Sequence, residues 1–248
     1  MRVACITILI LLTVPGGDLR SQEKASSSQQ LIMGRLPCVG QSDPRAHGVR
    51  QLVWELMKRT SIEGQMESRP ADPGSPDLFQ TPFLLWSCEG EVAALSDAQQ
   101  KNLRRFLSLG GFLFIDDPAA APGGPFDRSV RAALQKLFPE RKLVDVARDH
   151  VLFRTFFLVD PPAGRILAGP LEGMPIGDRL AVVYSSNDLL GAVSKDLYGN
   201  WELACEPGGE MQRETAFRLG INIIFYAMCQ DYKNDRVHLP FILRRRKL

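Results

Sequence analysis

Two short runs, residues 83–88 (FLLWSC) and 112–115 (FLFI), are almost wholly apolar, and a helical pattern lies between them. A strand with one wet face alternates apolar and polar side chains. A run without alternation is buried on both faces, as in the parallel sheet of an α/β protein. Ser96 with Gln99 three residues later is a capping-box pattern that opens a helix. Leu103, Phe106 and Leu107 form its apolar stripe, and Gly110-Gly111 ends it, because glycine accepts the left-handed cap. Residues 83–116 therefore read as strand, helix, strand with tight connections, a parallel crossover unit. This unit confines the chain to an α/β, Rossmann-like class with a mainly parallel sheet.

The flanking sequence extends the same alternation. Residues 31–39 read as a first strand, followed by Asp43-Pro44 as N-cap and first helical residue. Val49, Leu52, Val53, Leu56 and Met57 then line one helix face. Residues 67–77 are a proline-dense loop. Asp127 reads as the cap of a further helix, with Val130, Ala133, Leu134 and Leu137 inward and Pro139 as its stop. Residues 142–146 and 153–159 are expected to be strands, the latter alternatively half of a hairpin. Residues 179–186 (RLAVVYSS) are a stronger strand, and 213–229 the closing helix. No internal repeat or linker splits this region, so 31–235 is one domain, with 236–248 a basic C-terminal tail.

The first 22 residues read as a targeting segment. Arg2 precedes an apolar run of twelve residues, 3–14, and Pro15-Gly16-Gly17 breaks it. Twelve residues rise only about 18 Å as a helix, against roughly 30 Å of hydrocarbon. That length suits a signal-peptide core, cleaved or retained as an anchor, and residues 23–30 form a polar linker. The expected location is exported: the periplasm or the outer face of the cytoplasmic membrane. The net charge of +2 selects neither nucleic acid nor membrane by a global field. The basic run 244–247 (RRRK) reads as a solvated tail. In an oxidising compartment Cys38, Cys88, Cys205 and Cys229 can bridge in three ways or remain buried thiols. No C-x-x-C pair points to zinc.

In open parallel sheets ligands sit beyond the carboxyl ends of the strands. Those ends are Cys38, Cys88-Glu89, Asp116-Asp117 and 185–188 (SSND), which makes Glu89, Asp116, Asp117, Ser186 and Asp188 a candidate crevice, with Asp127 and His150 as partners. Adjacent Asp116 and Asp117 can hold a divalent cation or divide acid and base roles. Asp before Pro equally builds a turn. Cys88 before Glu89-Gly90 resembles a nucleophile elbow, but no histidine stands in a base motif, so it reads as a buried thiol or half a disulfide. G-x-G-x-x-G, H-E-x-x-H and G-x-S-x-G are absent. No cofactor is expected, a divalent metal being the one possible exception.

The stretch PFLLWSCEGEVAALSDAQQKNLRRFLSLGGFLFIDDP resembles a bacterial domain-of-unknown-function family, number 4159. The likeness continues through FDRSVRAALQKLFP, DHVLFRTFFLV, GDRLAVVYSSNDL and FRLGINIIFYAM. The resemblance implies a three-layer α/β/α fold, flavodoxin-like and similar to class I glutamine amidotransferases. It also implies an envelope-associated assembly with MoxR-type ATPases and von Willebrand factor A proteins as partners. The amidotransferase triad does not carry over, since there is no G-x-C-x-G elbow and no His-x-Glu. The expected function is a non-catalytic binding or interaction module. The alternatives are a hydrolase using the strand-end aspartates, with or without a metal, and a small-ligand sensor.

Overall fold

The computed structural model describes residues 30–40 and 43–228. The N-terminal segment with Cys5, most of the polar linker, Cys229 and the basic tail lie outside the described residues. Seven strands form one sheet in the order β2-β1-β3-β4-β7-β6-β5. They are β1 (Met33–Arg35), β2 (Arg69–Pro70), β3 (Phe83–Trp86), β4 (Phe112–Asp116), β5 (Val144–Asp145), β6 (Glu172–Ile176) and β7 (Arg179–Ser185). Five strands, β2-β1-β3-β4-β7, are parallel, and β6 and β5 extend the sheet antiparallel. The helices are α1 (Ala46–Arg59), α2 (Asp97–Ser108), α3 (Pro125–Leu137), α4 (Leu189–Ala192) and α5 (Gly209–Met228).

The unbroken apolar strands are buried on both faces because helices cover both. Phe83 and Leu85 of β3 and Phe112 and Phe114 of β4 pack with α1, α4 and α5. The alternate residues Leu84, Trp86, Leu113 and Ile115 pack with α2 and α3. The result is a three-layer α/β/α, Rossmann-like domain. The five parallel strands repeat the flavodoxin-like order, whose direction of winding reverses between β1 and β3. That switch point is where a strand-end crevice opens.

Local signals set several boundaries as expected. Ser96 Oγ accepts from Gln99 N–H at 3.3 Å while Gln99 Oε1 accepts from Ser96 N–H at 3.0 Å, a complete capping box on α2. Gly110 follows with φ +119°, and Gly111 N–H donates to Phe106 O, so β4 starts at once.

Other expectations are corrected. Asp43 does not cap α1, because its carboxylate pairs with Arg35, and the helix starts after Arg45 with no side-chain cap. Asp127 does not cap α3 either. It lies inside the first turn after Gly124 and accepts from Gly123 N–H at 2.9 Å. Residues 153–159 are not a strand: a 3-10 turn at Val151–Arg154 is capped by His150 Nδ1, which accepts from Leu152 N–H at 3.2 Å. The proline-dense loop contains β2 and a 3-10 turn at Pro76–Gln80, and β6 arises where no strand was expected.

Candidate functional site

The carboxyl ends of β4 and β7 form the polar centre of the rim. Asp116 closes β4 opposite Ser185, and strand alternation turns it toward the α1–α5 layer. There it meets the start of α4, where Leu189 N–H donates to Oδ1 and Leu190 N–H to Oδ2, both at 2.8 Å. The side chain is completely buried. Burial, reinforced by the neighbouring Asp188 charge, outweighs these two donors and pushes the Asp116 carboxyl up to about 7.

Asp188 is the hinge between β7 and α4, in the left-handed region at φ +50°. Aspartate tolerates that conformation better than most residues, because its short side chain bonds locally. Here one oxygen accepts from Gly191 N–H at 3.0 Å. Two guanidinium groups close over it. Arg45 from the start of α1 binds both oxygens at 2.7 and 2.9 Å, and Arg165 Nε donates to the second. Arg45 also donates to Pro118 O at 2.8 Å, linking α1, β4 and β7 through one planar group. Asn187 ties down the preceding loop: its Oδ1 accepts from Ala168 and Gly169 N–H and its Nδ2 donates to Gly169 O.

A second cluster lies toward α3. Asp117 accepts from Ala119 N–H at 2.9 Å and Ala121 N–H at 3.1 Å, an Asp-Pro turn. Burial raises its carboxyl above the usual range despite those bonds. Asp127 shows the opposite balance. Burial acts to raise it, but Gly123 N–H, Tyr184 Oη–H at 2.8 Å and Arg131 hold the carboxyl below its ordinary value. Arg131 also reaches Glu172 on β6. Ser186 is buried beside Gly169, and Ser87 Oγ, one residue beyond β3, is buried with no hydrogen-bond partner.

At the switch point Cys38 and Cys88 form a disulfide joining the ends of β1 and β3. One of the three pairings left open is thereby chosen for these two, and Cys205 is a buried free thiol. Beside the disulfide runs a groove of about 720 Å³ whose walls include Arg35, Pro37, Cys38, Pro70, Asp72 and Gln99. Its polar groups are engaged among themselves: Arg35 with Asp43, and Asp72 with Gly74 N–H and Gln99.

Residues 34–228 match the family described as a domain of unknown function, DUF4159. The chain belongs to that family. No match was found among curated proteins.

The fold places five of the seven predicted crevice residues at the rim, in two clusters: Asp116 with Asp188 toward the α1–α5 layer, Asp117 with Asp127 toward α3, and Ser186 beside Gly169. Glu89 lies exposed on the loop after β3, and the rim's Arg45 and Arg165 pair with Asp188 instead. His150 is at the opposite end of the sheet, its ring 5.6 Å from Tyr226, whose hydroxyl meets Leu180 at the start of β7. It therefore cannot join Asp116 in one site without refolding. Arg45 and Arg165 were not predicted, and Asn187 was read only as part of the strand-end run 185–188. Arg45 and Asp188 are 143 residues apart, and no local pattern announces a partner at that distance. Among the described residues no group of three or more His, Cys, Asp or Glu has the arrangement to hold a metal ion.

Proposed function

We propose that this DUF4159 chain is a non-catalytic binding or interaction module of a bacterial cell-envelope assembly. The observation that carries the reading is how the rim carboxylates are used. Asp116, Asp117, Asp127 and Asp188 each accept two or more hydrogen bonds from backbone N–H groups, Tyr184 or arginine. A carboxylate so engaged shapes a surface; it has few acceptor positions left for a substrate. The Cys38–Cys88 bridge supports an exported, oxidising setting. The parallel strand order supports the flavodoxin-like, class I glutamine amidotransferase-like fold that the resemblance implies. The partners proposed are the MoxR-type ATPase and von Willebrand factor A systems implied by the family resemblance. Among the described residues no helix is long and apolar enough to cross a membrane.

One observation favours a second reading, a hydrolase centred on Asp116. A carboxyl pushed up to about 7 is matched to general acid–base work near neutral pH. That use requires the rim to open, since Asp116 has no exposed surface.

Native mass spectrometry of protein exported by a bacterial host, alone and with a purified von Willebrand factor A domain from the same envelope system, separates the readings. A stoichiometric complex with unchanged Asp116→Asn affinity supports the module. Turnover of an ester or phosphoester panel that Asp116→Asn abolishes, with the fold intact, overturns it in favour of the hydrolase.

A further inference from the structure

Both ends of the described chain emerge at one pole of the sheet. Leu31, just before β1, donates its N–H to Glu63 O at 2.8 Å, beyond the end of α1, so the chain enters at the amino ends of the strands. α5 runs the opposite way. Near its start Gln212 reaches Gly164 and Arg165 O at 2.8 Å, beside the rim. In its last turn the Tyr226 hydroxyl accepts from Leu180 N–H at 2.9 Å, and the ring lies 6.1 Å from Phe112; both partners begin strands. Beyond these two points the sequence carries the apolar run 3–14 and the basic run 244–247.

At this pole the fold holds apolar side chains out. Asn222, wholly buried in α5, accepts from Phe156 N–H at 3.2 Å and Phe157 N–H at 2.8 Å, and donates to Phe157 O at 2.8 Å. Three bonds from one buried amide fix the turn's backbone. What the turn presents is Phe156, 44% exposed and stacked on Phe225 at 4.7 Å, and Leu158, 85% exposed. Arg154 is exposed just before it, and Arg218 lies 5.6 Å over the Phe157 ring. A single exposed leucine needs no explanation. A rigid Phe–Leu tip flanked by guanidinium groups, at the pole from which the sequence runs on toward an apolar run on one side and a basic run on the other, has the chemistry of an interfacial membrane contact. Apolar tips enter the acyl boundary and cations meet anionic headgroups.

We propose that the amino-end pole is apposed to a lipid bilayer bearing anionic headgroups, with Phe156 and Leu158 at its interface. The carboxyl-end rim, with the exposed Leu197–Tyr198 loop that follows α4, then faces away from the lipid. This orientation rests on the envelope reading but is tested without any protein partner, so either can fail alone.

The test uses the full chain with Cys5→Ser and Cys229→Ser, plus either Leu158→Cys or Tyr198→Cys carrying an environment-sensitive nitrobenzoxadiazole label. Cys38 and Cys88 are paired and Cys205 is buried, so the label reports the new thiol. Positions 158 and 198 are 85% and 90% exposed, so neither change threatens the fold. On phosphatidylglycerol–phosphatidylethanolamine vesicles containing a spin-labelled quencher lipid, emission at 158 is expected to shift to the blue and fall several-fold. Emission at 198 is expected to stay as in water. No vesicle-dependent change at 158, or a larger change at 198, overturns the proposal. Emission at 158 that is already blue-shifted without lipid also overturns it, assigning the turn to another segment of this chain.

Discussion

At the scale of single residues, the rim is governed by two buried aspartates with opposite needs. Asp188 is paired with two arginines, so Asp188→Ala leaves Arg45 and Arg165 under cover with no counter-ion. Removing one partner of a buried ion pair costs about 3–5 kcal/mol. Because the arginines keep 17% and 20% of their side-chain surface, the lower end, about 3 kcal/mol, is expected in urea denaturation. Asp116 is set the other way: its folded-state carboxyl lies at about 7, above the ordinary 3.8. Below about 3.8 both folded and unfolded chains hold the proton. Between there and about 7 the folded chain holds it and the unfolded chain releases it. The contribution is therefore complete at low pH and lost as pH rises through 7. Asp116→Asn cannot offer acceptors to both Leu189 and Leu190 N–H, and costs about 1–3 kcal/mol. Urea midpoints measured across this window are expected to lose the Asp116 slope in the variant. Cys88, Asp116 and Asp188 were legible as strand-end residues from the sequence alone. A disulfide half was one of the two readings of Cys88, but its partner, and the roles of Asp116 and Asp188, were not legible, because each is defined by a residue far along the chain.

At the scale of elements, tight approaches hold the rim helices. α1 meets α4 at Gly48, where an added Cβ would lie 2.3 Å from the Leu190 carbonyl oxygen. That atom is backbone and cannot rotate away. Gly48→Ala is expected to cost about 1–3 kcal/mol by overpacking and to lower the thermal midpoint, although alanine is the better helix former. On α2 the capping box is self-contained, and Ser96→Ala is expected to cost about 1 kcal/mol. These two variants separate what is local from what is not. The capping box was legible because both partners lie within four residues. The α1 cap was misread because Asp43 is drawn to Arg35 across the crevice mouth. The phenylalanine-rich run after His150 was misread for a similar reason: Asn222, 65 residues away, satisfies its backbone in a turn. β6 (EGMPI) carries glycine and proline and shifts register at Met174–Pro175, so it lacks the alternation that betrays a strand.

At the scale of the whole molecule, one covalent link spans the switch point. Cys38 and Cys88 are separated by 50 positions, enclosing α1, β2 and β3. A loop of that size is stabilised by roughly 4 kcal/mol on the chain-entropy account. The paired Cys38→Ser and Cys88→Ser variant is expected to lose about that much in denaturant titration. Intact mass before and after reduction should differ by two hydrogen atoms for this bridge. The alternation of uninterrupted apolar runs with amphipathic helices determined the class of this protein, because burial on two faces leaves no polar positions and so writes itself into composition. The strand ends followed from the same pattern. Only the tertiary structure decided which cysteines pair, that Asp116 and Asp188 share a buried cluster closed by Arg45 and Arg165, and that His150 stands at the far pole. Periodicity records how each segment meets the core; it does not record which segments meet each other, and the rim is made wholly of such meetings.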